Sequence, residues 1–138
     1  MKQTRNLAYA LLVLLLVSCA TMYQPETFTG GYSETRIGEN IWRVFFRGNG
    51  FTSPERAIDF ALLRSAEVCL GSGYRYFILA ESVNERNISI GATSTTIYTI
   101  ARPSSTNTVV CFVERPTGYA VVYDARFVAD SIRRKYGL

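Results

Sequence analysis

The sequence contains no histidine among its 138 residues. Without an imidazole, the chain has no Ser-His-Asp or Cys-His nucleophile pair, no His-ligated zinc and no histidine pH switch. Its 11 acidic residues are scattered, and none lies in a context typical of the paired carboxylates of a glycosidase. We therefore expect a protein that is not an enzyme and that has no metal site and no cofactor.

Long apolar runs are also scarce, because the chain has a single one, at residues 7–17. Its eleven residues are too few for a helix that spans a bilayer, which takes about 20. Lys2 and Arg5 precede the run, and this arrangement is typical of a secretory signal peptide. The run ends in Leu16-Val17-Ser18-Cys19, which resembles the bacterial lipobox.

The lipobox resemblance implies that Cys19 receives a diacylglycerol and that the signal is cut in front of it. Ala20 follows where an Asp would tend to retain a lipoprotein in the inner membrane, so the resemblance implies the periplasmic face of the outer membrane. The predicted organisation is a signal peptide at 1–18, a lipidated cysteine and flexible tether at 19–31, and one domain at 32–138. The alternative is an ordinary signal peptide followed by a free cysteine.

Basic residues are too few to predict a nucleic-acid partner. The net charge of +4 falls to +2 when Lys2 and Arg5 leave with the signal peptide. The densest basic cluster, at residues 133–135, lies in the last turn of a predicted helix, where it complements the helix dipole. Nucleic-acid binding would need a clustered basic face. The expected partners are the membrane, through the lipid, and an envelope protein or peptidoglycan.

The mature chain opens with a clear strand and a clear helix. Residues 41–47 are rich in aromatic and β-branched types, which is typical of a strand, and they place Trp42, Val44 and Phe46 on one face. Ser53 and Pro54 then provide a hydroxyl N-cap and a proline in the first helical turn. The predicted apolar stripe of this helix consists of Ile58, Ala61, Leu62, Ser65, Ala66 and Cys69.

The second half of the chain has weaker signals. Strands are predicted at 74–83, at 96–100, where Pro103 limits the extension of an exposed or edge strand, and at 109–113, with a short one near 119–123. Asp124 then caps a final helix whose apolar positions are Ala125, Val128, Ala129, Ile132 and Tyr136. The predicted fold is α+β in the order β-α-β-β-β-α, a three- to four-stranded sheet with two helices on one face.

Several short motifs resemble a known family. These are GGYS at 30–33, GNG-F-TS at 48–53 and GY-x-YF at 73–77. Together with the segments around them, over roughly residues 23–83, they resemble a family of small proteobacterial lipoproteins that has no established activity. The resemblance implies a lipid anchor and a small α+β domain, and it brings no catalytic residues.

Cysteine is sparse, and only Cys69 and Cys111 remain after Cys19. One ends the apolar stripe of the first helix and the other lies within a strand, so helix-on-sheet packing can bring them together. A disulfide would close a loop of about 42 residues and stabilise the fold by roughly 3 to 4 kcal/mol. The alternative is two buried free thiols, which behave as small hydrophobes.

Two further features allow a binding interpretation. Gly48-Asn49-Gly50 precedes a helix N-terminus and can cradle an anion, with Arg43, Arg47 and Asn49 as contacts. The simpler interpretation is a strand-to-helix turn whose amides Ser53 satisfies. An aromatic platform for glycan is the second feature, although tyrosine is also an ordinary strand residue; its members are Tyr74, Tyr76, Tyr98, Tyr119 and Tyr123.

The sequence favours a non-enzymatic, lipid-anchored binding module of the cell envelope. Its binding element is the exposed Ser/Thr-rich strand around Ile97-Tyr98, whose edge can extend the sheet of a partner. The alternative is an envelope stress-sensing or signalling lipoprotein whose state depends on the redox couple of Cys69 and Cys111. A cell-wall enzyme is the third hypothesis, and it would need a pocket with convergent polar groups.

Overall fold

A computed structural model describes residues 20–93 and 95–138. The elements in chain order are β1 (Gly31–Arg36), β2 (Ile41–Arg47), α1 (Pro54–Gly71), β3 (Tyr76–Ala92), β4 (Ile97–Phe112), β5 (Tyr123–Asp124) and α2 (Ala125–Tyr136). The strands form one antiparallel sheet in the order β1-β2-β4-β3-β5. Within these residues, no helix combines the length and the apolarity that a membrane crossing requires. Cys19 and the predicted signal peptide lie outside the described residues.

The α+β class with two helices is confirmed, but the sheet has five strands rather than three or four. The additional strand is β1, which precedes β2 and gives the order β-β-α-β-β-β-α. Its sequence, GYSETR, does not alternate between apolar and polar residues. In the structure, only the first of these residues is buried. The strand is formed by its antiparallel pairing with β2 from Gly31↔Arg47 to Arg36↔Trp42.

The predicted strands at 96–100 and 109–113 are the two ends of one strand, β4. Pro103 lies inside it, where a lost backbone N–H would normally break a ladder. The last residue of β2, Arg47, pairs with Ser104, and the Pro103 carbonyl accepts from the Gly48 N–H at 2.8 Å. The nitrogen of Pro103 therefore points to the side where β2 has ended, and the ladder with β3 is intact.

Helix α1 begins as predicted and buries four of the six residues of the predicted stripe, namely Ala61, Ser65, Ala66 and Cys69. Ser53 is the N-cap, its Oγ accepts from the Arg56 N–H at 3.1 Å, and Pro54 is the first helical residue. Ile58 is half-exposed, whereas Phe60 is fully buried. The buried residues of α1 are Ala57, Phe60, Ala61, Leu63, Ser65, Ala66 and Cys69. The core therefore turns toward the Ala57–Phe60 side of the helix.

The core lies between one face of the sheet and both helices. Trp42, Val44 and Phe46 are buried on that face, as their alternation predicts. Phe60 lies at the centre, with its ring 5.2 Å from the ring of Phe46 in an edge-to-face contact. Helix α2 contributes the predicted residues Ala125, Val128, Ala129 and Ile132 to the same core.

Residues 20–31, whose composition predicts a flexible tether, pack against the domain. The ring of Tyr23 lies 4.7 Å from that of Tyr32 and 5.3 Å from that of Phe60. Isolated β-bridges join Pro25 to Tyr32 and Thr27 to Gly30. The aromatic contacts of Tyr23 and these backbone bonds hold the segment in place, so the folded unit begins about ten residues earlier than its composition indicates.

Candidate functional site

The hairpin of β3 and β4 extends beyond the rest of the sheet. The two strands pair from Tyr76↔Phe112 to Ala92↔Ile97, but β2 ends opposite Ser104 and β5 covers β3 only at Tyr76 and Phe77. Past these points, β3 and β4 have only each other as strand partners among the described residues. We call residues 87–93 and 95–101 the distal arm of this hairpin.

The outer edge of β3 changes in character along its length. Near the core, a register shift between Leu79 and Glu81 twists the strand, and Glu85 and Arg86 add charge. Bulges and charges of this kind protect an edge strand from pairing with other chains. No charged residue occurs from position 87 to position 101. The distal arm therefore exposes unpaired backbone groups without the usual protection.

Apolar side chains also project from the distal arm. Ile90 is 75% exposed, and Ile88 is similarly exposed two residues earlier on the same face of β3. The predicted binding element around Ile97-Tyr98 belongs to this arm, where Ile97 pairs with Ala92 and Tyr98 with Gly91. Strand β4 is central where it lies between β2 and β3. At Ile97-Tyr98, its one strand partner among the described residues is β3.

The structure joins Cys69 and Cys111 in a disulfide between α1 and β4. Their Cα atoms are 5.7 Å apart, and both residues have no exposed surface. The bond therefore lies inside the core, on the face of the sheet that both helices cover.

Two of the three predicted anion contacts line one cleft, and the third lies elsewhere. Arg43 is exposed on the sheet face opposite the helices, whereas Arg47 and Asn49 line a cleft of about 220 Å³ together with Arg102. Arg47 lies 3.2 Å from Glu26 and donates to the Thr27 carbonyl at 3.0 Å.

Several backbone amides of the loop at 48–52 already have hydrogen-bond partners. The Asn49 Oδ1 accepts from the Phe51 N–H at 3.0 Å, and the Asn49 N–H donates to Oγ1 of Thr21 at 2.9 Å. Because these groups already have partners, the loop fits the turn interpretation better than the anion cradle.

Three of the predicted platform tyrosines make separate ring contacts. Tyr123 stacks on Phe77 with ring centroids 5.0 Å apart, Tyr74 contacts Trp42, and Tyr119 contacts Phe112. These are three separate contacts, so the rings do not present one flat surface to a sugar.

A cleft of about 710 Å³ lies between the C-terminal end of α1 and the start of α2 and is lined in part by Arg75, Asp124, Phe127 and Asp130. Asp124 caps α2 through the N–H groups of Arg126 and Phe127, and it pairs with Arg75 at 3.3 Å. Burial would raise the pKa of Asp124, but the bonds from Phe127, Arg75 and Arg126 together lower it. This carboxylate is held ionised rather than poised as a general acid. No group of three metal-ligating residues occurs among the described residues.

Glu67 joins the N-terminal segment to both helices, a role that its sequence context does not indicate. It accepts from the Tyr23 hydroxyl, from Arg64 at 3.1 Å and from Arg133 at 2.8 Å. Burial, and then the hydrogen bond to Glu67, raise the pKa of Tyr23 far above its ordinary value. Two residues of the basic cluster at 133–135 pair with acids on α1. Arg133 pairs with Glu67, and Lys135 pairs with Glu55 and Asp59.

No protein-family model, curated protein or solved structure matches this chain.

Proposed function

We propose that this protein is a non-enzymatic binding module, anchored by a lipid on Cys19 to the periplasmic face of the bacterial outer membrane. Its ligand is an extended segment of an envelope protein, which pairs with the distal arm. The lipobox at residues 16–19 supports the anchor, and the resemblance to proteobacterial lipoproteins supports the compartment.

The observation that carries this proposal is the open, uncharged edge of the distal arm. Backbone N–H and C=O groups along such an edge provide the affinity for an added strand, and alternate side chains provide the selectivity. Ile88 and Ile90 offer apolar contacts on one face of the arm. Because charged residues end at Arg86, we expect an added strand to pair with the distal arm rather than with the part of β3 near the core.

The 710 Å³ cleft beside α2 favours a binding role over catalysis. Two carboxylates, Asp124 and Asp130, line it, and Asp124 is committed to capping α2 and to the ion pair with Arg75. A cell-wall enzyme would need an acid and a base whose pKa values differ across one pocket. The lowered pKa of Asp124 does not supply the acid.

The burial of Cys69 and Cys111 favours a structural disulfide over the alternative of redox sensing. Cysteines that sense oxidants are exposed to solvent, whereas buried disulfides resist reduction. Because neither sulfur is accessible at the surface, the proposal assigns the pair to stability.

Site-specific photo-crosslinking in intact envelopes tests the binding role. A photoreactive residue at Ser89 is expected to capture an envelope protein, and one at Arg126, exposed on α2, is not. The variant Ile90→Lys places a charge on the arm and is expected to abolish the Ser89 product. Val121→Lys, at another exposed apolar position, is the matched control. Equal capture from Arg126, or capture unaffected by Ile90→Lys, would contradict the proposal.

Palmitate labelling tests the anchor. The wild-type chain is expected to incorporate label and to fractionate with outer membranes, while Cys19→Ala loses both properties. Label retained by Cys19→Ala would contradict the assignment of the anchor, whatever the crosslinking shows.

A further inference from the structure

The first described residues fix where the lipid anchor leaves the domain. Thr21 is buried, and its backbone N–H donates to Oγ1 of Thr52 at 3.0 Å. Its Oγ1 donates to the Thr29 carbonyl at 3.2 Å and accepts from the Asn49 N–H. Two residues of extended chain reach about 7 Å. A lipid on Cys19 therefore holds the surface around Thr21 against the bilayer.

This surface carries three exposed apolar side chains. Phe28 is 95% exposed and Phe51 is 73% exposed, and Met22, next to Thr21, is also exposed. Large aromatic side chains are usually buried, so a cluster of exposed ones indicates an interaction site. We call Met22, Phe28 and Phe51, with Arg47 and Arg102, the anchor-proximal surface.

The fold holds Phe28 outward. Thr27 and Gly30 exchange two backbone hydrogen bonds, at 3.0 and 3.1 Å, and Phe28 lies in the two-residue turn between them. Gly30 has φ 114°, and a Cβ there would lie 2.3 Å from the carbonyl oxygen of Arg47. Only glycine fits this approach, and the turn that displays Phe28 is thereby fixed against β2.

Arg102 lines one cleft with each of the two phenylalanines. Phe28 shares the 220 Å³ cleft with Arg47 and Arg102, and Phe51 lines a neighbouring groove of about 540 Å³ that also includes Arg102. Arg47 is paired with Glu26, whereas Arg102 has no acidic partner among the described residues. An exposed cation that shares a cleft with each of two aromatic side chains matches an anionic headgroup above an acyl layer.

We propose that the anchor-proximal surface docks on the lipid bilayer, with Phe28 and Phe51 inserted at the headgroup level and Arg102 facing lipid phosphates. This inference rests on the proposed lipid anchor, which brings the surface to the membrane. Docking fixes the orientation of the domain, because the acyl chains and the two rings form separate points of attachment. Ile100 also lines the Phe51 groove, so the distal arm leaves the domain beside the membrane.

Lipid quenching of tryptophan fluorescence tests the docking. The full-length acylated protein is reconstituted in vesicles of phosphatidylethanolamine and phosphatidylglycerol with brominated acyl chains. Phe28→Trp and Phe51→Trp are compared with Phe127→Trp, which starts from a phenylalanine that is 70% exposed, about as much as Phe51. Phe127 lies beside the C-terminal end of α1, about 27 Å from the Thr52 end. The native Trp42 is buried and provides a constant background.

Bromines near the headgroup end of the chains are expected to quench the emission of Phe28→Trp and Phe51→Trp and to leave that of Phe127→Trp unchanged. Equal quenching in all three variants, in protein that stays with the vesicles, would overturn the docking. Emission changes that depend on the amount of protein per vesicle, and not on bromination, would also overturn it, because they would indicate that the rings contact a second copy of this chain. Failure of the anchor is separate, since protein without the diacylglycerol mass would not stay with the vesicles at all.

Discussion

The backbone N–H of Thr21 donates to the side chain of Thr52, 31 residues further along the chain, at 3.0 Å. Oγ1 of Thr52 also accepts from the Asn49 N–H at 3.1 Å and donates its own proton to Asn49 Oδ1 at 3.0 Å. Both threonines are almost fully buried. One hydroxyl therefore links the N-terminal segment at Thr21 to the loop that begins α1.

Thr52→Val tests this tie because it keeps the shape of the side chain and removes the acceptor. The Thr21 N–H then stays buried without a partner, which costs about 1–3 kcal/mol. Urea unfolding should show this loss in the free energy of unfolding, and amide exchange at Thr21 should accelerate. Thr99→Val, at an exposed position in the distal arm, is the control and should change neither quantity. An unchanged exchange rate at Thr21 would refute the tie.

The disulfide between Cys69 and Cys111 should account for a large part of the stability. In the chain-entropy account, a loop of 42 residues corresponds to about 4 kcal/mol. The double variant Cys69→Ala/Cys111→Ala is expected to lose this amount in urea unfolding, and non-reducing mass spectrometry of the mature wild type should show both thiols absent. Free thiols at both positions in protein from the periplasm would contradict the bridge.

The raised pKa of Tyr23 predicts a loss of stability at alkaline pH. The unfolded tyrosine ionises near 10.0, whereas the folded one keeps its proton because burial and Glu67 disfavour the phenolate. The stabilisation is complete below pH 10.0 and declines as the pH rises above it, because the unfolded state then binds fewer protons. The pKa values of Tyr136 and Lys135 are raised as well and act in the same direction.

Tyr23→Phe should therefore flatten the fall in stability above pH 10.0, while it removes about 1 kcal/mol at neutral pH through the lost hydrogen bond. Urea midpoints measured on both sides of that pH give the comparison. Tyr119→Phe, at a half-exposed position, is the control and should follow the wild-type curve. A Tyr23→Phe curve as steep as that of the wild type would assign the alkaline loss to other groups.

The helices can be predicted from local signals because their caps and apolar spacing are local. Ser53 and Asp124 are both N-caps, as their positions before the apolar residues indicate. The sequence predicts the two ends of β4 as separate strands because the residues between them are polar. Ser105 and Asn107 lie on the helix-covered face and are buried.

Buried polar contacts explain why sequence periodicity fails there. Asn107 donates to Oγ of Ser65 on α1 at 3.2 Å and accepts from the Ser82 hydroxyl at 2.9 Å. Ser105 donates to Asn84 Oδ1 at 2.7 Å. These side chains satisfy one another within the fold, so hydrophobicity alone predicts a loop at their positions. The sequence also does not predict that β3 continues into the distal arm. Its residues there form a strand because they pair with β4, and this pairing cannot be inferred from the sequence of β3 alone.

The lowered pKa of Asp124 predicts a loss of stability at acid pH, whereas the raised pKa of Tyr23 predicts a loss at alkaline pH. Its folded pKa is lowered from 3.8, so its contribution is present above that pH and is lost as the pH falls further. Asp124→Ala should cost about 1 kcal/mol at neutral pH, as expected for a lost N-cap. The difference from wild type should narrow as the pH falls below 3.8.

Asp124→Asn separates the cap from the charge. The asparagine oxygen can still accept from the N–H groups of Arg126 and Phe127, but it cannot titrate or pair with Arg75. We therefore expect Asp124→Asn to keep most of the neutral-pH stability and to lose the acid dependence that this carboxylate contributes. Urea unfolding of the three proteins across the acid range provides the measurement. If Asp124→Asn were as unstable as Asp124→Ala, the ion pair with Arg75, rather than the cap, would hold the start of α2.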